Sequence, residues 1–145
     1  MEIRKTYRKF KYSEVEFLLL GDDIKTHLKG CEFIYIIAAT LGGVDEELRF
    51  LGYADPVKAL FSESVYNQTI ESVVDELEKT IKQSDRAYTT RYSPGYGDFP
   101  LAVQREIARL LDTQRRIGMT VTDSDMLLPR KSITALLGEY PICKI

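Results

Sequence analysis

The segment Glu32 to Ala39, EFIYIIAA, constrains the fold more than any other part of this chain. It is short, β-branched and aromatic, with glycines on both sides (Gly30, then Gly42-Gly43). A strand that is apolar at successive positions, not at alternate ones, has no face for water. It belongs in the middle of a sheet with other elements packed on both sides. A suitable cover is at hand. Asp55-Pro56 places an N-cap before a proline at the first helical position, opening a helix that runs to Gln83. Within it Ile70, Val73, Val74, Leu77 and Ile81 recur at helical spacing and mark one buried face.

The remaining elements follow from local punctuation. Val15 to Leu20 reads as a short apolar strand closed by Gly21, and Asp22 or Asp23 caps a brief helix through Leu28 that ends at Gly30. Thr40-Leu41-Gly42-Gly43 turns the chain into a short helix over Asp45 to Tyr53. Residues 87–92 (AYTTRY) read as a strand. Asp98 can cap a following helix with Val103, Ile107, Leu110 and Leu111 on its apolar face. Arg115 and Arg116 favour the dipole at its carbonyl end before Gly118 stops it. Met119 to Thr122 and Ser132 to Leu137 read as two closing strands around Pro129-Arg130. Strands with long helices between them predict a single α+β (mixed α/β) domain over residues 1–145.

Composition narrows the class. The chain has 145 residues, enough for one domain with a proper core, and is 44% hydrophobic and 29% charged, as in soluble globular proteins. A net charge of −2 and a pI near 5.5 argue against nucleic acid or an anionic membrane as the main partner. The longest apolar run, Phe33 to Leu41, is too short to span a bilayer. The basic stretch Met1 to Tyr12 leads into no signal-type segment. The two cysteines, Cys31 and Cys143, have no metal-ligand spacing. Cys31 reads as a core residue and Cys143 as a loose thiol, in a reduced, cytoplasmic protein.

One stretch carries more chemistry than a loop needs. Arg91-Tyr92-Ser93-Pro94-Gly95-Tyr96-Gly97-Asp98-Phe99-Pro100 joins a fixed cation to two glycines, two prolines and two tyrosines. Arginine offers a planar fork for a carboxylate or phosphate. Glycine lets backbone approach a ligand, and tyrosine adds a face for a cation or a base. A type II turn needs only Pro94-Gly95; Arg91, Tyr96 and Gly97 exceed that need and favour a ligand role. The other candidates are weaker. His27 reads as a surface histidine, and Ser93, with no histidine nearby in sequence, as a turn residue. Thr40 to Gly43 stands open between a plain turn and a ligand turn. Glu71, at the edge of the long helix's apolar stripe, is an acid placed to meet an ammonium group.

The motif has ordered companions: a Leu-Leu helix, then Ile117-Gly118-Met119-Thr120-Val121-Thr122-Asp123-Ser124, Met126, Pro129 and Lys131-Ser132. Leu28 to Cys31 and Ala38 to Gly42 extend the series toward the N-terminus. Over about residues 24–138 the chain resembles the activation (reactivation) domain of cobalamin-dependent methionine synthase, in its small free-standing form. The resemblance implies a mainly antiparallel sheet with long helices packed against it. It also implies S-adenosylmethionine as methyl donor to cobalamin carried by a partner, a methionine synthase or other corrinoid protein. A flavodoxin- or ferredoxin-type donor would supply the electron for reactivation. Arg91 would take the ligand's carboxylate, with Ser93, Pro94 and Gly95 lying along it. Tyr96 would face the adenine or sulfonium, and Glu71 would match the family's helical acid. No catalytic side chain and no metal site are implied. Two alternatives remain: a docking module without the ligand, and an S-adenosylmethionine binder unrelated to cobalamin.

Overall fold

The computed structural model describes residues 1–142, so Cys143 lies outside the described residues. In chain order the elements begin with strand β1 (Glu2–Lys11), helix α1 (Tyr12–Val15), a 3-10 turn (Glu16–Leu18), α2 (Asp22–His27) and β2 (Phe33–Gly42). The helices α3 (Asp45–Ala54), α4 (Pro56–Ile81), α5 (Val103–Leu111) and α6 (Thr113–Ile117) follow. The strands β3 (Thr120–Val121), β4 (Leu127–Leu128) and β5 (Ser132–Glu139) close the chain. One antiparallel sheet runs in the order β1-β2-β5, and β3-β4 form a separate hairpin.

The central strand is where the sequence placed it, and it divides the interior in two. Ile34, Ile36 and Ala38 face one core with Leu136, Phe10, Ile24 of α2, Leu28 just after it, and Val103, Ile107 and Leu111 of α5. Tyr35, Ile37, Ala39 and Leu41 face the other, where Ile70, Val73, Val74, Leu77 and Ile81 of α4 cover them. Each fully buried aliphatic side chain contributes about 1.5–3 kcal/mol. This is a mixed α/β fold with an antiparallel sheet between two helical layers.

Several local expectations are corrected. Val15 to Leu18 is helical, not a strand, and Leu19 and Leu20 follow it outside any element: Val15, Leu18 and Leu19 are all buried, a spacing of three and four that a helical turn sets on one side. Thr40 and Leu41 continue β2, and the chain turns at Gly43, whose φ is +83°. The helix after the motif is two helices, broken where Asp112 adopts a left-handed φ of 51°. Residues 119–122 and 132–137 are not partners around one turn; the first pairs with β4 and the second with β2. The ten-residue β1 escaped the sequence reading altogether. It is an edge strand with Phe10 as its one buried residue, so neither face has an apolar signature. Its Arg8 and Lys9 lie over the rings of Phe10 and Phe33, at 4.9 and 4.1 Å. Such charges also guard an edge from pairing with other chains.

Candidate functional site

The motif is delivered by a bulged strand. Residues 87–92 lie along the free edge of β5, with bridges at Tyr88–Glu139 and Tyr92–Leu136. Between those bridges the chain advances four residues against three on β5, which is a β-bulge in place of the expected regular strand. Thr89 covers the irregularity by accepting a hydrogen bond from the Gly138 amide on its hydroxyl, at 3.0 Å. The bulge sends Arg91 toward α4 while Tyr92 packs against the opposite core.

On α4, Glu71, Asp75 and Glu78 follow one another at intervals of four and three and therefore share a face. All three bind Arg91: Nη2 donates to Glu71 at 2.6 Å, and Nη1 donates to Asp75 at 2.7 Å and Glu78 at 2.9 Å. Burial pushes the guanidinium's pKa down, but the hydrogen bonds to Asp75, Glu78 and Glu71 outweigh it and hold the group above its ordinary value. One cation among three acids leaves an excess of negative charge. Glu78 is only 14% exposed, whereas Glu71 and Asp75 are 57% and 59% exposed and lie on the water side.

The turn after Arg91 is the expected type II turn: the Tyr96 amide donates to the Ser93 carbonyl at 3.2 Å, and Gly95 has φ of +96°. A second turn brings the Phe99 amide to the Tyr96 carbonyl at 3.0 Å, and Phe99 is buried in the α2–α5 core. Gly97 approaches α2 so closely that a Cβ there would collide with the Asp23 carboxylate and lie 2.7 Å from the Tyr92 hydroxyl. Asp98 caps a different helix from the one expected. Its carboxylate accepts from the amides of Asp22 and Asp23 at the start of α2, at 2.7 and 3.0 Å, and its own amide donates to Asp23. The helix that follows starts only at Val103, beyond reach of that side chain.

A cavity of about 430 Å³ opens between these parts, lined by His27, Glu71, Thr90, Arg91, Tyr92, Ser93 and Tyr96. Four of the six residues singled out from sequence, Arg91, Ser93, Tyr96 and Glu71, thus line one space. Pro94 and Gly95 form the turn behind it, Gly95 facing the Leu101 side chain. Tyr96 is 72% exposed at the mouth. The rings of His27, Tyr92 and Tyr96 succeed one another along the wall, with centroids 5.0 and 6.1 Å apart. His27, expected as a plain surface residue, donates from Nε2 to the Thr90 carbonyl at 2.6 Å and forms part of that wall. His27 is 63 residues from its partner in the chain, and no local pattern announces that contact. Thr40 to Gly43 lies outside the cavity, Thr40 being buried against Ser132 through a 2.7 Å hydroxyl contact. Among the described residues no cluster of metal-ligating side chains occurs, and no helix is long and apolar enough to cross a membrane.

The fold and cavity together define a small α/β domain whose acidic, aromatic-walled cleft suits a ligand carrying both signs of charge. The family model of the vitamin B12 dependent methionine synthase activation domain matches residues 4–144, and the chain belongs to that family. Among solved structures it is similar to a crystal structure of the MetH reactivation domain bound to AdoHcy, with a TM-score of 0.63 and 18% identity. The match covers 78% of this chain and 41% of that one, and at this identity it is a likeness of fold. Comparison with curated proteins gave no match.

Proposed function

We propose that this domain binds S-adenosylmethionine in the cleft between α4 and the Arg91–Phe99 loop. It would present the ligand to cobalamin held on a separate domain or subunit, of a methionine synthase or another corrinoid methyltransferase. One observation carries the reading. Arg91 and Glu71, on different elements and 20 residues apart, converge with Tyr96 on a single cavity. That the MetH reactivation domain of like fold was crystallised with AdoHcy supports it.

The residues fit the ligand's parts. S-adenosylmethionine supplies a methyl group on a positively charged sulfur. It also carries a carboxylate, an ammonium and an adenine. Arg91 would hold the carboxylate in a forked, charge-assisted pair. To do so it exchanges one of its exposed partners, Glu71 or Asp75, and the released acid then meets the ammonium. Glu78, the more buried acid, stays and fixes the guanidinium plane. Tyr96, at the mouth, would face the adenine or the sulfonium. The role of these residues is to hold and orient, so no general acid or base is required. A flavodoxin- or ferredoxin-type donor would provide the electron that reactivation consumes.

Calorimetric titration tests this directly. Binding in the micromolar range is expected, and Arg91→Ala abolishes it while leaving the far-UV spectrum intact. Arg91→Lys, a point charge without the fork, weakens binding roughly tenfold or more. No heat from well-folded protein at high micromolar ligand removes the methyl-donor reading, and unchanged affinity in Arg91→Ala moves the site elsewhere. A second reading, a module that docks on a corrinoid protein without this ligand, draws on the three carboxylates already holding Arg91. The same titration separates the two.

A further inference from the structure

We propose that this chain forms a two-fold dimer through the outer face of the α3–α4 hairpin. The two helices are joined by the single residue Asp55 and tied by a hydrogen bond from the Tyr66 hydroxyl to Glu47, at 2.6 Å. No fully buried side chain of α4 precedes Ile70, and from its first half only the partly buried Tyr66 packs its ring against a core. At 100° per residue, Val57, Leu60, Phe61 and Ser64 share one face that flanks the stripe begun by Ile70 and Val74 and includes none of its residues. In the second half of α4 the same face carries Glu71, Asp75 and Glu78, which hold Arg91 beside the cleft. In the first half it is apolar and free of charge.

The exposures are large. Val57, Leu60 and Phe61 are 79%, 75% and 71% accessible, and Phe50 and Tyr53 on α3 are 68% and 87% accessible. Together these five side chains show roughly 700 Å² to solvent. That exceeds the roughly 300–600 Å² of the largest patch on an ordinary monomer and approaches the roughly 800 Å² that each partner buries in a stable complex. A second copy is the occupant that this surface fits. A two-helix hairpin with an apolar outer face becomes a four-helix bundle when two copies pair. A two-fold axis brings the same patch against itself, apolar against apolar, with no charge to bury at its centre. The inference is independent of the ligand assigned to the cleft.

Sedimentation equilibrium of the full chain from about 2 to about 200 μM tests it, since a dimer's population follows protomer concentration. The expected mass is twice 16.6 kDa, falling toward 16.6 kDa on dilution. Leu60→Glu and Phe61→Glu each weaken association at least about 100-fold, as burying an unpaired charge at an interface core requires. Both side chains are exposed in the monomer, so both variants keep the wild-type far-UV spectrum. Leu60→Ser and Phe61→Ser, which add no charge, shift association the same way by less. A chain that stays at 16.6 kDa throughout overturns the proposal, even if it then binds a corrinoid protein through this face. A dimer indifferent to all four substitutions overturns it equally.

Discussion

Asp98 and Gly97 show how single residues position the cleft. Asp98 fastens the motif loop to α2 through the amides of Asp22 and Asp23, and those hydrogen bonds, with Asp23 foremost, lower its carboxyl pKa. A depressed pKa means that the unfolded chain binds the proton more readily than the folded one. The contribution is complete above the unfolded value, about 3.9, and is lost as pH falls through the folded value. Melting temperature measured against pH should therefore drop more steeply below about pH 4 in the wild type than in Asp98→Asn, which still caps but does not titrate. Equal acid slopes would sink this account. At Gly97, with φ of +52°, a methyl group meets Asp23 and Tyr92. Gly97→Ala is expected to lower both melting temperature and affinity for S-adenosylmethionine, and full affinity would show that the loop does not shape the cleft. From sequence Asp98 was legible as a cap, but the helix it caps was not. The amides it binds lie 75 and 76 residues away, and the nearest downstream helix was the only candidate in view.

Among the elements, α4 was the most legible and the strand at 87–92 among the least. In α4 the cap, the proline and the apolar period agree, and the Asp55 side chain does accept from the Lys58 amide, at 3.2 Å. Leu77, at 4% exposure, faces the central strand through that period. Leu77→Ala should cost about 2–5 kcal/mol in denaturant unfolding, and a loss below about 1 kcal/mol would mean the layer closes over the gap. The segment 87–92 has strand composition, but its extra residue opposite β5 is invisible without the partner. Gly138 allows that bulge to lie flat. A Cβ there would press on the Cys31 sulfur and come within 3.0 Å of Leu28 and 3.1 Å of Thr89. Gly138→Ala is expected to cost about 1–3 kcal/mol by overpacking, read from the urea midpoint, and a neutral change would refute the crowding. The edge strand β1 was silent because polar residues on both faces carry no period of two.

For the whole molecule, the decisive feature is that both cores rest on the two faces of one strand. Loss of β2 would empty both, so the α2–α5 layer and the α4 layer should unfold together. Far-UV circular dichroism and tyrosine fluorescence are expected to give one coincident urea transition. Two separated transitions would mean that the layers are independent units. Burial pattern, caps and turn chemistry act over a few residues, and these were set by the chain's own order: the central strand, the long helix, the type II turn and the kinds of group in the motif. Which groups meet is a matter of distances across the chain. The Arg91 cage, the His27 wall and the docking of Asp98 on α2 each join residues 13 to 76 positions apart. Only the packed sheet and its bulge bring them within reach.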